Sequence, residues 1–459
     1  MAEAKRKTSR PKPEVASRAR AAAPVATAGG PLDRFFGLSA ARSSVATELR
    51  AGLATFLTMA YIMFVNPAIL EKAGMDHGAV FVATCLAAAA GSLIMGLYAN
   101  YPIALAPGMG LNAYFAFTVV PELGGNWQLA LGCVFVSGVM FLALSLSPLR
   151  AWLIDAIPMS LKLGIAAGIG FFLALIALQN AGVVADDPTT LVTLGDLSKP
   201  QAWLAAGGFL IIAGLAVRKI PGAIIIGVLA VALAAVALGL EPSHGVVAAP
   251  PSLAPTFLKM DVAGVVQLGL VTIVLTLLLV TMLDTAGTLI GVARQAGLLD
   301  QDGRLPRLRQ ALLADSGAAA LGAALGTSTN TAYIESAAGV EEGGRTGLTA
   351  IFVAVFFLLA LFLSPLAQTV PLYATAPALL FVACLMAASL GALSWEDPTD
   401  YIPALIIVLM MPLSYSIATG IGLGFIAYVA LKALAGRFSE INAAVGVIAA
   451  SFLLKLIFA

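Results

Sequence analysis

The chain has 459 residues, 60% hydrophobic and only 11% charged, with a formal net charge of +1. Soluble domains carry about 25% charged residues, so this composition excludes a soluble globular protein. The balanced charge gives no sign of a nucleic-acid partner. The expected class is an all-α polytopic membrane protein embedded in a lipid bilayer.

Residues 1–34 are rich in Lys, Arg, Ala and Pro and contain no apolar core of a signal peptide. They are expected to form a disordered, basic cytoplasmic tail. Apolar runs then follow at 46–66, 79–98, 104–119, 127–147, 161–180, 203–217 and 221–240. A linker at 241–263 separates these from runs at 264–293, 312–326, 330–342, 347–367 and 374–391. The stretch 401–458 holds three more, one of them expected to be re-entrant or to lie along the surface. The reading is about fourteen spans in two halves, 35–240 and 264–459. An odd number of spans per half makes the repeats inverted. Basic residues such as Lys5, Arg6, Arg150, Arg218, Lys219, Arg294 and Arg304 place the amino terminus and alternate loops inside.

Two runs fall short of the roughly 20 residues that a spanning helix needs. They are ALAPGMGLNAYFAF near 104–119 and LGTSTNTAYIESAAGV near 330–342, both interrupted by Gly, Pro or polar residues. They are the third and the tenth segments, at corresponding places in the two halves. Paired discontinuous segments of this kind point to a transporter's binding site, with two half-helices meeting near the bilayer midplane. The one local similarity between the halves is LNAY at 111–114 against NTAY at 330–333.

Asp284 lies inside VTIVLTLLLVTMLDTAGTLIGVA, and Glu335 lies inside the second broken run, in GTSTNTAYIESAAGV. A carboxylate at bilayer depth costs on the order of 3 kcal/mol, and such groups usually face a watered cavity that handles a substrate or a proton. Either acid is able to take up and release a proton in each transport cycle. A structural role, pinning two helices together, is the alternative for each. Near the other break lie Gly110, where a half-helix can begin, and Asn112, whose amide offers both a donor and an acceptor. Asn112 either contacts a polar planar solute or caps the half-helix.

The cysteines Cys85, Cys133 and Cys384 fall in apolar runs, and His77 and His244 sit in loops. That pattern suggests no metal site, no cofactor and no disulfide framework. No GxxxxGK[ST] motif marks an ATP-driven pump, and an enzyme is not expected.

Several longer motifs occur in order: ATFLTMAYIMFVNPAIL (54–70), APGMGLNAYF (106–115), LDTAGTLIGVARQAGLLDQDGRLPR (283–307), LLADSGAAALGAALGTSTNTAYIESAAGV (312–340), EGGRTGLTA (342–350) and YATAPALLFVACLM (373–386). From about residue 35 onward the chain resembles the AzgA-like adenine/guanine/hypoxanthine permeases of the nucleobase/ascorbate transporter superfamily. That resemblance implies fourteen segments, with one to four and eight to eleven forming a core and the rest a gate. It implies proton symport of a purine base into the cell across the plasma or inner membrane. It assigns the base and the proton to Asp284 and Glu335, adds Asn112 and Gly110 to the substrate site, and is compatible with a homodimer. Relatives that carry uracil or xanthine often have Glu at the position of Asp284, and some place a His where this chain has Thr288. The alternatives are a uracil or xanthine carrier of the same fold, and a non-coupled facilitator or channel.

Overall fold

The computed structural model describes residues 30–147, 156–267, 270–300 and 305–458. The expected basic tail, up to residue 29, and the topology markers Arg150 and Arg304 lie outside the described residues. The tail's last expected residues instead open a helix, Pro31–Phe36.

Among the described residues, nine helices are long and apolar enough to cross a membrane. Three shorter apolar helices accompany them at Ala223–Ala237, Pro398–Leu413 and Ala443–Leu454. The protein is a mainly helical, multi-pass membrane protein. The stretch 401–458 resolves into separate helices, Pro398–Leu413, Ile417–Leu434 and Ala443–Phe458, packed in chain order.

The all-α expectation needs one amendment. Among the described residues four short strands are present: β1 (Leu105–Pro107), β2 (Val184–Asp187), β3 (Leu191–Leu194) and β4 (Asn330–Ala332). β2 and β3 form an antiparallel hairpin in the linker after the Met159–Asn180 helix. Its turn is held by Asp187, whose Oδ1 accepts from the amides of Thr189 and Thr190 at 2.7 and 2.8 Å.

β1 and β4 are the two broken segments, and they pair with each other. The register is antiparallel, with Leu105 opposite Ala332, Ala106 opposite Thr331 and Pro107 opposite Asn330. Extended backbone inside a membrane protein must satisfy its polar groups internally, and here each strand supplies the other's partners. The Gly108 amide donates to the Thr329 carbonyl at 2.9 Å, and the Tyr333 amide to the Ala104 carbonyl at 3.0 Å. A helix follows each strand. One begins at Met109 and continues through a π-helical stretch, Phe115–Val119, to Glu122; the other is Ser336–Glu341. The LNAY and NTAY similarity has no structural counterpart. Residues 111–114 are helical, whereas Asn330–Ala332 is a strand paired with 105–107.

Small residues allow the close approaches on which this arrangement depends. A Cβ on Gly110 would lie 2.3 Å from Ile169 Cγ2, so this position must be glycine for the Met109–Tyr114 helix to rest on the Met159–Asn180 helix. A Cβ on Gly339 would lie 2.1 Å from Thr55 Oγ1 and 2.5 Å from the Ala51 carbonyl, where the Ser336–Glu341 helix crosses Val45–Met59.

Acids buried in this protein are more numerous than the two singled out from sequence. Glu48 is fully buried and sits at the amino-terminal end of the Gly347–Ala360 helix. Its carboxylate accepts from the amides of Arg345 and Thr346 at 3.1 and 3.3 Å and from the Thr349 hydroxyl. A helix amino terminus favours negative charge, so Glu48 has a structural role. Asp315, on the Leu308–Leu325 helix, is also fully buried.

Candidate substrate site at the paired broken segments

Asp284 lies within the long Val271–Gln295 helix, which packs against β4 and the Ser336–Glu341 helix. It is half-buried, and its Oδ2 accepts from the Thr331 hydroxyl at 3.1 Å. Thr331 is the central residue of β4, so the strand pairing fixes the donor that orients this acid.

Glu335 is half-buried at the N-cap of the Ser336–Glu341 helix. Its side chain does not cap that helix. Instead Oε1 accepts from the Tyr61 hydroxyl at 2.8 Å. Tyr61 occupies the break between the helices Val45–Met59 and Ile62–Glu71, and is itself buried. Tyr333 reaches across to the other broken segment, donating from its hydroxyl to the Pro107 carbonyl at 2.5 Å. The Val271–Gln295 helix that carries Asp284 packs against the Ser336–Glu341 helix, which Glu335 immediately precedes. Both predicted acids therefore flank the strand pair, Asp284 through Thr331 and Glu335 just beyond the end of β4.

Asn112 lies in a different part of the same region. It is fully buried, and its Nδ2 donates to Asn66 Oδ1 at 2.6 Å. Asn66 in turn donates to Thr84 and Thr327 at 2.7 and 2.8 Å. This network ties the Met109–Tyr114 helix to Ile62–Glu71, to His77–Ile94 and to the residues preceding β4. The capping alternative is not what Asn112 does, because the N-cap is Gly108. One N–H of its amide is committed to Asn66, and Oδ1 has no hydrogen-bond partner among the described residues. Gly110 has no side chain to meet a solute, and its lack of a Cβ allows the close contact with Ile169.

Sequence reasoning missed Tyr61, Thr331, Tyr333, Thr285 and Asp315. Thr285 donates to Asp315 Oδ2 at 2.6 Å and lies 3.3 Å from the Thr331 hydroxyl. Asp315 was open to the argument used for Asp284, since LLADSGAAALG is an apolar stretch with one acid. A separate apolar cavity lies between the Val271–Gln295 and Ala443–Phe458 helices, lined by Leu275, Leu279, Met282 and Phe452. Its polar lining residues are Thr272, Thr276 and Ser451, with no acid. Among the described residues, no group of three or more His, Cys, Asp or Glu is placed to hold a metal ion.

Two interrupted segments that pair in a multi-pass helical protein, with carboxylates gathered beside them, define the architecture of a membrane transporter. Solved structures with this fold include the transmembrane domain of a cyanobacterial bicarbonate transporter, BicA. It has a TM-score of 0.61 at 15% identity, covering 81% of this chain and 96% of that one. SLC26A9 has a TM-score of 0.59 at 11% identity, covering 89% of this chain and 68% of that one. At such identities the likeness is one of fold alone.

The family is shown by sequence. A model described as "Permease family" matches residues 46–456, and the chain belongs to that family. It is 48% identical to the adenine permease AdeP of Escherichia coli (strain K12), over 94% of this chain and 96% of AdeP. It is 47% identical to the guanine/hypoxanthine permease PbuO of Bacillus subtilis (strain 168), over 92% of this chain and 99% of PbuO. The resemblance read from the motifs thus holds, and the protein is a permease rather than an enzyme.

Proposed function

We propose that this permease imports purine nucleobases, namely adenine, guanine or hypoxanthine, by proton symport through alternating access. The observation that carries the reading is the convergence of Asp284 and Glu335 beside the β1–β4 pair. A purine base is planar and uncharged, and its edges alternate ring N–H donors with carbonyl or ring-nitrogen acceptors. Two carboxyl groups can accept from its N–H groups or, when protonated, donate to its acceptors. Asn112 Oδ1 offers a further acceptor, held in orientation by Asn66. A site built on hydrogen bonds rejects a solute that leaves them unmade.

Carrying a proton with a neutral base requires a group that titrates inside the membrane. Asp284 and Glu335 are our candidates, each tethered by one hydroxyl, from Thr331 and Tyr61. In this reading the chain forms fourteen segments in two inverted repeats, 35–240 and 264–459, joined by an outward-facing linker at 241–263. The amino terminus is cytoplasmic, core segments move against gate segments, and two copies assemble as a homodimer. Relatives named for adenine, guanine and hypoxanthine support the substrate class.

The test is uptake of labelled bases into proteoliposomes containing the purified protein, with and without an inward proton gradient. Gradient-dependent accumulation of a purine supports the reading. Preference for uracil or xanthine would overturn the substrate class. Uptake that equilibrates without accumulation would overturn coupling and indicate a facilitator.

A further inference from the structure

The segment before the first span is seated on the protein by its own contacts. Phe36 and Leu38 are buried against Leu348, and the Phe36 carbonyl accepts from Asn100 Nδ2 at 3.1 Å. Asn100 Oδ1 accepts from the Gly347 amide at 2.6 Å. The Pro31–Phe36 helix therefore rests at the start of the Gly347–Ala360 helix. The turn that follows is fixed as well. Asp33 accepts from the Ser39 amide and hydroxyl at 2.7 and 2.6 Å. The Ser43 amide donates to the Leu38 carbonyl at 2.9 Å, and Arg42 holds a left-handed backbone with φ 54°.

This fixed segment turns apolar and basic groups outward. Leu32 is 47% exposed and Phe35 60%. Three apart on a helix, they are neighbours on its surface. The Phe35 ring packs edge-on against Phe36, with centroids 4.8 Å apart. Arg34, Arg42 and Arg50 are exposed and form no ion pair among the described residues. The two acids between residues 30 and 50 are both engaged within the protein, Asp33 by Ser39 and Glu48 by the amides of Arg345 and Thr346. The adjoining loop adds Glu342 and Arg345, whose charges offset each other. The first 50 residues hold ten Lys or Arg against four Asp or Glu, in a chain that has 25 against 24.

The depth of these groups follows from the helix they precede. Val45, Leu49 and Leu53, each four residues after the last, form an exposed apolar stripe on the Val45–Met59 helix. That stripe marks where contact with the acyl chains begins. Arg42 lies three residues before it, at headgroup level. Arg50 lies five residues in, about 8 Å along the axis, and its long stem reaches back to the headgroups.

We propose that residues 31–50 form a docking surface for anionic phospholipid, with Arg34, Arg42 and Arg50 on the headgroup phosphates and Leu32 and Phe35 inserted among the upper acyl chains. Aromatic and aliphatic side chains beside arginines are what an anionic bilayer interface binds. A guanidinium meets phosphate through paired N–H donors. A zwitterionic headgroup carries its own cation next to the phosphate, which opposes the arginines, whereas an anionic headgroup leaves its charge for them.

The experiment places full-length Phe35→Trp protein in vesicles of equal parts phosphatidylglycerol and phosphatidylcholine, with brominated chains on one lipid or on the other. Surface charge is then the same in both preparations. Bromine quenches a nearby indole, and the signal of the four native tryptophans, measured without the substitution, is subtracted. Brominated phosphatidylglycerol should quench the new indole roughly threefold or more strongly than brominated phosphatidylcholine. Adding Arg34→Gln, Arg42→Gln and Arg50→Gln should make the two lipids equal quenchers. Equal quenching with the arginines in place would overturn the proposal, as would a preference that survives the three Gln substitutions. Quenching by neither lipid, which is what a segment facing water or an acidic protein gives, would overturn it too. If the triple variant does not insert, Arg34→Gln with Arg42→Gln, both before the span, decides by the same comparison.

Discussion

Replacing Asn112 by Ala separates the two things this amide is placed to do. Its Nδ2 donates to Asn66 Oδ1 at 2.6 Å, and both residues are fully buried. The truncation leaves Asn66 Oδ1 without that donor in a site that water does not reach. An orphaned buried polar group costs about 1–3 kcal/mol. The remaining bonds from Asn66 to Thr84 and Thr327 survive, so the loss should stay in that range and the protein should still insert. The second effect is on binding. Removing Asn112 Oδ1 deletes one acceptor offered to the base, and a net hydrogen bond of about 0.5–1.5 kcal/mol corresponds to a roughly two- to tenfold weaker Kd. The assay is thermal unfolding of purified protein with and without base, together with a five-base competition profile. Asn66→Ala is the control. It should destabilise at least as much, because it removes three hydrogen bonds, while changing the ranking of bases less. Unaltered thermal stability in Asn112→Ala would refute the network argument. Lowered stability with an unaltered competition profile would refute the ligand contact.

Asp284→Asn should insert normally yet lose concentrative uptake by at least tenfold, because it keeps the shape and removes the titratable group. Wild-type accumulation ratios would contradict this. Tyr61→Phe removes the hydroxyl that donates to the Glu335 carboxylate, so it should weaken purine binding in the same direction as Glu335→Gln but by less, as equilibrium binding can measure. Additive losses in the double variant would show that Tyr61 does not act through Glu335. At the Ile417–Leu434 end, the Thr399 hydroxyl and the Arg437 guanidinium hold the Asp397 carboxyl well below its usual range. A depressed value means the stabilisation is complete above the unfolded value near pH 4 and is lost as pH falls toward the folded one. Asp397→Asn should therefore melt earlier than wild type at pH 7, with the gap narrowing below about pH 4. A gap independent of pH would contradict the assignment.

Asp284 and Glu335 were legible because a charge in an apolar run is expensive and has few explanations. Asp315 and Glu48 obey the same rule but sit near the starts of their segments, where an acid reads as a boundary residue. The structure shows instead that one is engaged by Thr285 and the other caps a helix. The breaks at 104–119 and 330–342 were visible as Gly, Pro and polar interruptions. Their pairing was not, since strands of three residues carry no alternation to read, and the LNAY and NTAY similarity suggested a different alignment. The partners of the acids, Tyr61 and Thr331, lie far from them in sequence or face them only through the strand register. A side chain's hydrogen-bond partner across 274 positions, as between Tyr61 and Glu335, is set by packing that one sequence does not display. Asn112 was found by its place near the break, but the direction of its amide depended on Asn66, which sits inside a helix that reads as plain apolar span.

In the proposed mode of binding, a purine base sits at the acids beside the paired broken segments. The most direct test is a structure of the protein with hypoxanthine or adenine bound, at a resolution that places the ring. Ring N–H or exocyclic groups should then lie within hydrogen-bond distance of Asp284 and Glu335, next to β1 and β4. A base seated elsewhere, such as in the apolar cavity beside Phe452, with both carboxylates out of reach would contradict it.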